Sequence, residues 1–187
     1  DELRRQGHRV ALATGRIQVD ALRFAKKARL TDFVADGGHS LTVDGGLVSM
    51  IGMNRKSCID YLEYLESKGI FWAVTDQNHL GRITPYKEIL DWHPDWDVFK
   101  TTVDPEFDFH QVKDFFKVYV FFKDGEEEEK DIEHMTHKLI RYGEGCVLYE
   151  PMEKAVGVRQ MLDYFYMSYD QAVVFGDGYN DLSLFSP

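Results

Sequence analysis

Ala172-Val173-Val174-Phe175-Gly176-Asp177-Gly178-Tyr179-Asn180-Asp181 is the stretch on which the fold reading turns. Four apolar residues run into a glycine turn, and the turn carries two carboxylates and an amide. An uninterrupted apolar run of this length predicts a buried strand over 172–175, and the turn at its carboxyl end predicts the start of a helix over 180–185. In open α/β sheets, ligands sit at the carboxyl ends of such strands. Hard oxygens crowded at a strand tip repel one another unless a cation or a phosphoryl contact offsets them. Mg²⁺ suits that setting, since it takes one or two carboxylates and completes its shell with water and phosphate oxygens. An ordinary turn with Asn180 as helix N-cap is the plainer reading. Two closely spaced acids behind a buried strand weigh against it.

The N-terminal segment repeats this grammar. A polar helical end, 1–6, stops at Gly7. Val10-Ala11-Leu12-Ala13 reads as a buried strand closing on Thr14-Gly15-Arg16. Ala21, Phe24, Ala25 and Ala28 keep the i, i+3, i+4, i+7 spacing of an amphipathic helix over 17–28. Phe33-Val34-Ala35 is a second short strand, broken by Asp36-Gly37-Gly38. Leu41-Thr42-Val43 and Leu47-Val48-Ser49 flank Asp44-Gly45-Gly46, which predicts a hairpin. Near the other end, Val158, Met161, Leu162 and Phe165 predict a helix over 155–166.

The middle differs. Cys58, Tyr61, Leu62 and Leu65 mark a helix over 55–67, Phe71–Val74 a strand, Lys117–Phe122 another, and Cys146–Tyr149 a third. Ile132, Met135, Thr136 and Leu139 predict a further helix, and 76–110, rich in Asp, Pro and aromatics, predicts turns and short strands. That order describes a small α+β unit. The fold class is therefore α/β: a doubly wound, mostly parallel core, 1–49 and 152–187, interrupted by an inserted α+β module, 50–151.

Composition narrows the functions. The chain has 187 residues, 44% of them hydrophobic, which is enough to build a core. No apolar run approaches the roughly 20 residues that span a membrane, so no membrane partner is expected. A net charge of −10 argues against nucleic-acid binding, which needs a basic face. It does not bar an anionic small substrate, because a local cation and lysine can dominate the field in a cleft. Cys58 and Cys146 are far apart and in no CxxC pattern, so they are expected as buried thiols in a reducing cytoplasm.

Other residues carry weaker chemical signals. A hydroxyl and backbone N–H groups at Thr14-Gly15-Arg16 can hold a phosphate, though a plain turn has the same composition. Lys154, at the start of a helix, runs against the helix dipole and is tolerable where an anion lies opposite, though taken singly a solvated lysine is the plainer reading. His134 and His137, at i, i+3, find no third metal ligand in register, so a polar face is expected; His39, His79, His93 and His110 have no supporting pattern. Trp72, Trp92 and Trp96 are expected as packing residues, with an aromatic wall for a sugar or other ring as the alternative. The run Glu126–Glu129 reads as a solvated helix start favoured by the dipole.

Taken together, Ala13-Thr14-Gly15-Arg16, Lys154 and Gly176-Asp177-Gly178-Tyr179-Asn180-Asp181 resemble motifs two, three and four of the haloacid dehalogenase (HAD) superfamily, and the wording is similar to its Cof-type subgroup of sugar-phosphate and related phosphatases. The resemblance implies a Rossmann-like core and a cap over the site. It implies a Mg²⁺-dependent phosphatase that hydrolyses a small phosphorylated metabolite, such as a sugar phosphate, through an aspartyl-phosphate. Thr14 would hydrogen-bond the transferring phosphoryl group, with Gly15 and Arg16 beside it. Lys154 would neutralise phosphoryl charge, Asp177 would ligate Mg²⁺, Asp181 would assist directly or through water, and Asn180 would orient Lys154 or a phosphate oxygen. Trp72, Tyr86, Lys87 and Lys123 of the module are candidates to reach the substrate. A cytoplasmic monomer or homodimer is expected.

The same resemblance calls for an Asp-x-Asp-Gly-Thr motif, source of the nucleophile, upstream of the first helix. None occurs in these 187 residues. The expectation is a longer protein, in which that motif's strand lies between those ending at Ala13 and Phe175 and covers two otherwise unpaired apolar edges. Asp36-Gly37-Gly38 also departs from the Asn-Gly of relatives, so no substrate contact is assigned to Asp36. The rival readings are a HAD-like protein that binds phosphate or a partner without turnover, and the phosphorylation domain of a cation pump. The latter is disfavoured, because no membrane segments accompany it.

Overall fold

Phe33, Val34 and Ala35 are all fully buried although they are consecutive. A strand can bury every residue only if both sheet faces are covered, and this requirement organises the core. In the computed structural model, residues 2–95, 98–134 and 139–185 are described, the last without the side chains of Tyr179 and Asn180. The elements run α1 (Glu2–Arg5), β1 (Leu12–Ala13), α2 (Gln18–Lys27), β2 (Phe33–Ala35), β3 (Ser40–Val43), β4 (Gly46–Met50), α3 (Arg55–Ser67), β5 (Phe71–Thr75), β6 (Gly81–Thr84), α4 (Ile89–Trp92), β7 (Lys100–Val103), β8 (Lys117–Phe121), α5 (Glu126–Glu129), β9 (Leu139–Gly143), β10 (Cys146–Tyr149) and α6 (Lys154–Tyr164), with a final 3₁₀ segment at Tyr179–Phe185. The chain divides into two compact units, 1–51 with 151–187, and 52–150.

In the first unit the sheet order is β1-β2-β3-β4. β1 and β2 pair in parallel, with Leu12 opposite Phe33 and Ala13 opposite Val34; β3 and β4 follow as antiparallel neighbours. α2, the crossover between the parallel strands, lays Ala21 and Ala25 on Phe33 and Ala35. α6 covers the other face, where Met161 and Val158 meet Val34, Leu41 and Val43. The alternation of β2 thus feeds two helices, one on each side, and the doubly wound α/β arrangement follows.

α6 approaches β2 unusually closely. A Cβ at Gly157 would press on Val34 and lie 2.7 Å from the Gly38 carbonyl oxygen. Gly38 itself has φ +115°, and a Cβ there would strike the Glu153 carbonyl. Both positions need glycine, one for space and one for space and backbone conformation.

The second unit is a six-stranded sheet, β7-β6-β5-β8-β10-β9, antiparallel except for β6 with β7. One face packs under α3 through Cys58, Tyr61, Leu62 and Leu65, which meet Trp72, Val74, Val118 and Val120. The other carries Ala73, Tyr119, Phe121, Cys146 and Leu148 beneath Ile89. Arg82 is buried there, its guanidinium 4.9 Å from the Phe121 ring centre and its Nη2 donating to the His93 carbonyl at 2.6 Å. Lys117 and Glu150 form a buried ion pair. Cys58 and Cys146 are buried free thiols, and burial pushes each up to about 12.

Several expectations are corrected. The run Ala172–Phe175 forms no strand among the described residues; Val173 is 81% exposed and Phe175 88%. β1 is shorter than 10–13 and only half-buried. The helix expected from Ile132 to Leu139 is not seen: Ile132 lies in a turn and Leu139 opens β9, while Met135, Thr136 and His137 lie outside the described residues, as does Trp96. The stretch 76–110 resolves into β6, α4 and β7 with a 3₁₀ turn at Phe109–Gln111. No helix among the described residues is long and apolar enough to cross a membrane.

Gly157→Ala is expected to lower stability by about 1–3 kcal/mol, the usual cost of forcing a methyl into a packed interior. Urea unfolding of the variant against the parent checks this; an unchanged midpoint would show that α6 can retreat freely from β2.

Candidate active site

The carboxyl ends of β1 and β2 carry the loops from which the site is built. Thr14 follows β1; its backbone N–H donates to the Val34 carbonyl at 3.0 Å, which extends the parallel ladder by one rung. The Thr14 carbonyl accepts from the Gly37 N–H at 3.2 Å, and the Gly37 carbonyl accepts from the Glu153 N–H at 2.8 Å. Three segments distant in sequence are joined by main-chain bonds, and Lys154 is the next residue. Thr14 Oγ1 accepts from the Arg16 N–H at 3.2 Å. That bond leaves the hydroxyl proton free to be donated elsewhere.

Lys154 is the first residue of α6 and is 5% exposed. The positive end of the helix dipole disfavours an ammonium there, and the anion it needs is present. Asp181 Oδ1 accepts from Lys154 Nζ at 2.5 Å. Asp181 Oδ2 accepts from the backbone N–H groups of Asp177 at 3.2 Å and Gly178 at 3.1 Å. Burial alone would raise the Asp181 carboxyl. The Lys154 hydrogen bond and the two turn amides outweigh it and hold the group below its ordinary 3.8. Gly176 makes the turn possible, because a Cβ there would lie 2.5 Å from Asp181 Cβ.

The two carboxylates differ in kind. Asp181 is buried and has both oxygens engaged, whereas Asp177 is exposed. Among the described residues no group of three or more His, Cys, Asp or Glu is placed to hold a metal on its own. The donor set fits a hard divalent ion that keeps most of its shell as water and substrate oxygen, with Asp177 as the available carboxylate.

Of the sequence-derived site residues, Thr14, Lys154 and Asp181 come together through the bonds above. Arg16 turns away: its guanidinium lies 4.0 Å from the Phe24 ring centre and pairs with Asp20 at 2.7 Å along α2. The Asn180 side chain lies outside the described residues. In the other unit Trp72 is fully buried, which corrects its candidacy for substrate contact. Tyr86 stacks on Phe71 at 4.5 Å, and Lys123 sits over the Trp92 ring. His134 bonds to Asp131 at 2.8 Å and stacks on Tyr64.

The sequence reading passed over Asp36. It is 1% exposed, and its Oδ2 accepts from the Gln18 N–H at 3.1 Å, at the start of α2. The N-cap of α2, Ile17, supplies no side-chain acceptor. An apolar residue at that position was the available signal that the cap comes from elsewhere.

Comparison with known proteins identifies the family and the fold. The family model described as haloacid dehalogenase-like hydrolase matches residues 1–187. The chain belongs to that family. Among solved structures, it resembles a hypothetical protein from Geobacillus kaustophilus, with 21% identity, 98% of this chain and 72% of that one covered, and a TM-score of 0.74. It also resembles a haloalkanoate-superfamily phosphatase from Bacteroides thetaiotaomicron, with 18% identity, 98% and 69% coverage, and a TM-score of 0.73. A subclass IIB sugar phosphatase follows, with 17% identity, 98% and 72% coverage, and a TM-score of 0.69. No curated protein sequence matches the chain. The likenesses show that this HAD-family chain shares the fold of those proteins.

The depressed Asp181 group sets a pH dependence. Its ion pair stabilises the fold above the unfolded pKa of about 4 and is lost as pH falls through the lower folded value. Urea unfolding at pH 6 and pH 3 is expected to show a shallower acid loss in Asp181→Asn than in the parent; equal losses would show that the pair contributes nothing to acid sensitivity.

Proposed function

We propose that the intact protein is a Mg²⁺-dependent phosphatase acting on a small phosphorylated metabolite, with a sugar phosphate as the leading class. The observation that carries this reading is the Lys154–Asp181 pair, held one main-chain bond from the Gly37 loop that also fixes Thr14. Phosphoryl transfer asks a protein mainly for positioning and charge stabilisation, and these residues supply both. Thr14 donates its hydroxyl proton to a phosphoryl oxygen. Lys154 carries the positive charge set against the equatorial oxygens, and Asp181 keeps its ammonium aimed. Asp177 would hold the metal, with Asp181 assisting through water. Bound there, Mg²⁺ supplies a fixed positive charge to the phosphoryl oxygens. A nucleophilic aspartate would form the aspartyl-phosphate, which water then hydrolyses. The inserted unit, 52–150, is the cap that excludes water and selects the leaving group.

The test uses the full-length gene product and a panel of sugar phosphates with Mg²⁺ or with chelator. Turnover that needs Mg²⁺ is expected, with Asp177→Ala and Thr14→Ala each losing about 10²–10³-fold in kcat, the usual effect of removing one stabilising group. Unchanged turnover in Asp177→Ala overturns the metal assignment. Phosphate binding without hydrolysis of any ester would favour a binding protein.

A further inference from the structure

Asp36 occupies a position that neither local sequence nor the proposed chemistry uses. It follows β2 in the left-handed region, with φ +51°, and is 1% exposed. A buried carboxylate is costly unless it meets donors or positive charge. The first backbone N–H of α2, at Gln18, meets it at 3.1 Å. α2 is ten residues long, and its positive dipole end favours the anion. The main chain of the same turn adds two more ties. The Asp36 N–H donates to the Arg16 carbonyl at 2.8 Å, and the Gly37 N–H donates to the Thr14 carbonyl at 3.2 Å. Both ends of the Thr14–Gln18 segment are therefore fixed to one two-residue turn.

We propose that Asp36 is a positioning residue that caps α2 from across the sheet and thereby fixes the Thr14 loop, so that the incoming phosphoryl group is met by the Thr14 hydroxyl and Lys154 and not by the helix end. This rests on the reading of Thr14 as the phosphate-binding hydroxyl. The charge argument gives the second half. A helix N-terminus is an anion site only while its amides are free, and here a carboxylate already holds the first of them. A phosphate dianion brought to the same amides would meet like charge.

The experiment compares the full-length parent with Asp36→Ala, Asp36→Asn and, as a stability control on the opposite sheet face, Leu41→Ala. Two quantities are read well below the unfolding temperature: amide hydrogen exchange at Arg16 and Gln18 relative to Ala25, and the dissociation constant of inorganic phosphate in Mg²⁺ buffer. Asp36→Ala is expected to speed exchange at Gln18 at least tenfold and to weaken phosphate about tenfold. Asparagine keeps an acceptor oxygen and is expected to restore both to within about threefold of the parent. Leu41→Ala is expected to lose stability with neither quantity moved. Unchanged exchange in Asp36→Ala, or no rescue by asparagine, overturns the capping role. Phosphate bound as tightly or more tightly by Asp36→Ala overturns the positioning role, since the uncapped helix end would then be serving the anion. A parent that binds no phosphate while Asp36→Ala still speeds Gln18 exchange overturns the phosphatase reading and leaves the capping role standing.

Discussion

A buried ammonium at the start of a helix is a poor arrangement until something answers it, and in this chain the answer is Asp181. Lys154 and Asp181 are 27 residues apart in sequence and 2.5 Å apart in space. Removing either partner would strand the other charge in the interior, which costs about 3–5 kcal/mol in measured cases. The pair also ties two pieces of backbone, because Asp181 grips the Asp177 and Gly178 amides with its second oxygen. The position of α6 and the shape of the glycine turn are thus one constraint. Whatever binds at Asp177 inherits that geometry.

The same constraint divides the work between the two acids. Environments that push paired carboxylates apart usually assign them different roles. Asp181, with two amides and a lysine satisfied, has little left to offer a ligand. Asp177 joins that network through its backbone N–H and is itself exposed. Crowded acids in a glycine turn raise a repulsion problem, and the structure meets half of it internally with Lys154. Of the two, one carboxylate is left for an external cation, and one suffices for an ion such as Mg²⁺ that fills the rest of its shell with water and phosphate oxygens.

How far these features were legible depends on whether they are local. Ala21 and Ala25 in α2, and Cys58, Tyr61, Leu62 and Leu65 in α3, lie on single helix faces and were found by periodicity. The Asp44-Gly45 hairpin was found by its turn chemistry. Periodicity also misled: Ile132 and Leu139 fit one helix in spacing, yet one belongs to a turn and the other to β9. Val173 and Phe175 have a strand's composition, but a strand also needs a neighbour for its backbone groups, and composition does not supply one. Lys154 was recognised chiefly by its place in the order of motifs; read singly it passed as a solvated lysine, because the carboxylate opposite it lies 27 residues away in sequence. Asp36 was read only as a turn residue without a substrate contact, because its carboxylate meets a helix that begins 18 residues earlier. The apolar Ile17 at the N-cap position signals that a cap is missing locally, but no local pattern says which distant residue supplies it.

The placement of Thr14 shows why core and site cannot be varied separately. Its N–H bonds to Val34, its carbonyl to Gly37, and Gly37 in turn to Glu153. This main-chain ladder continues the register that sets Ala13 opposite Val34. Side chains alternate along a strand, so a slip of one residue would exchange the faces of Phe33 and Val34. Phe33 would then meet α6 where Gly157 leaves room for no more than Val34. It would also carry Thr14 one residue past the Gly37 loop. The close glycine contact in the core therefore guards the register, and the register holds the Thr14 backbone on the Gly37 turn that also bonds Glu153, the residue before Lys154.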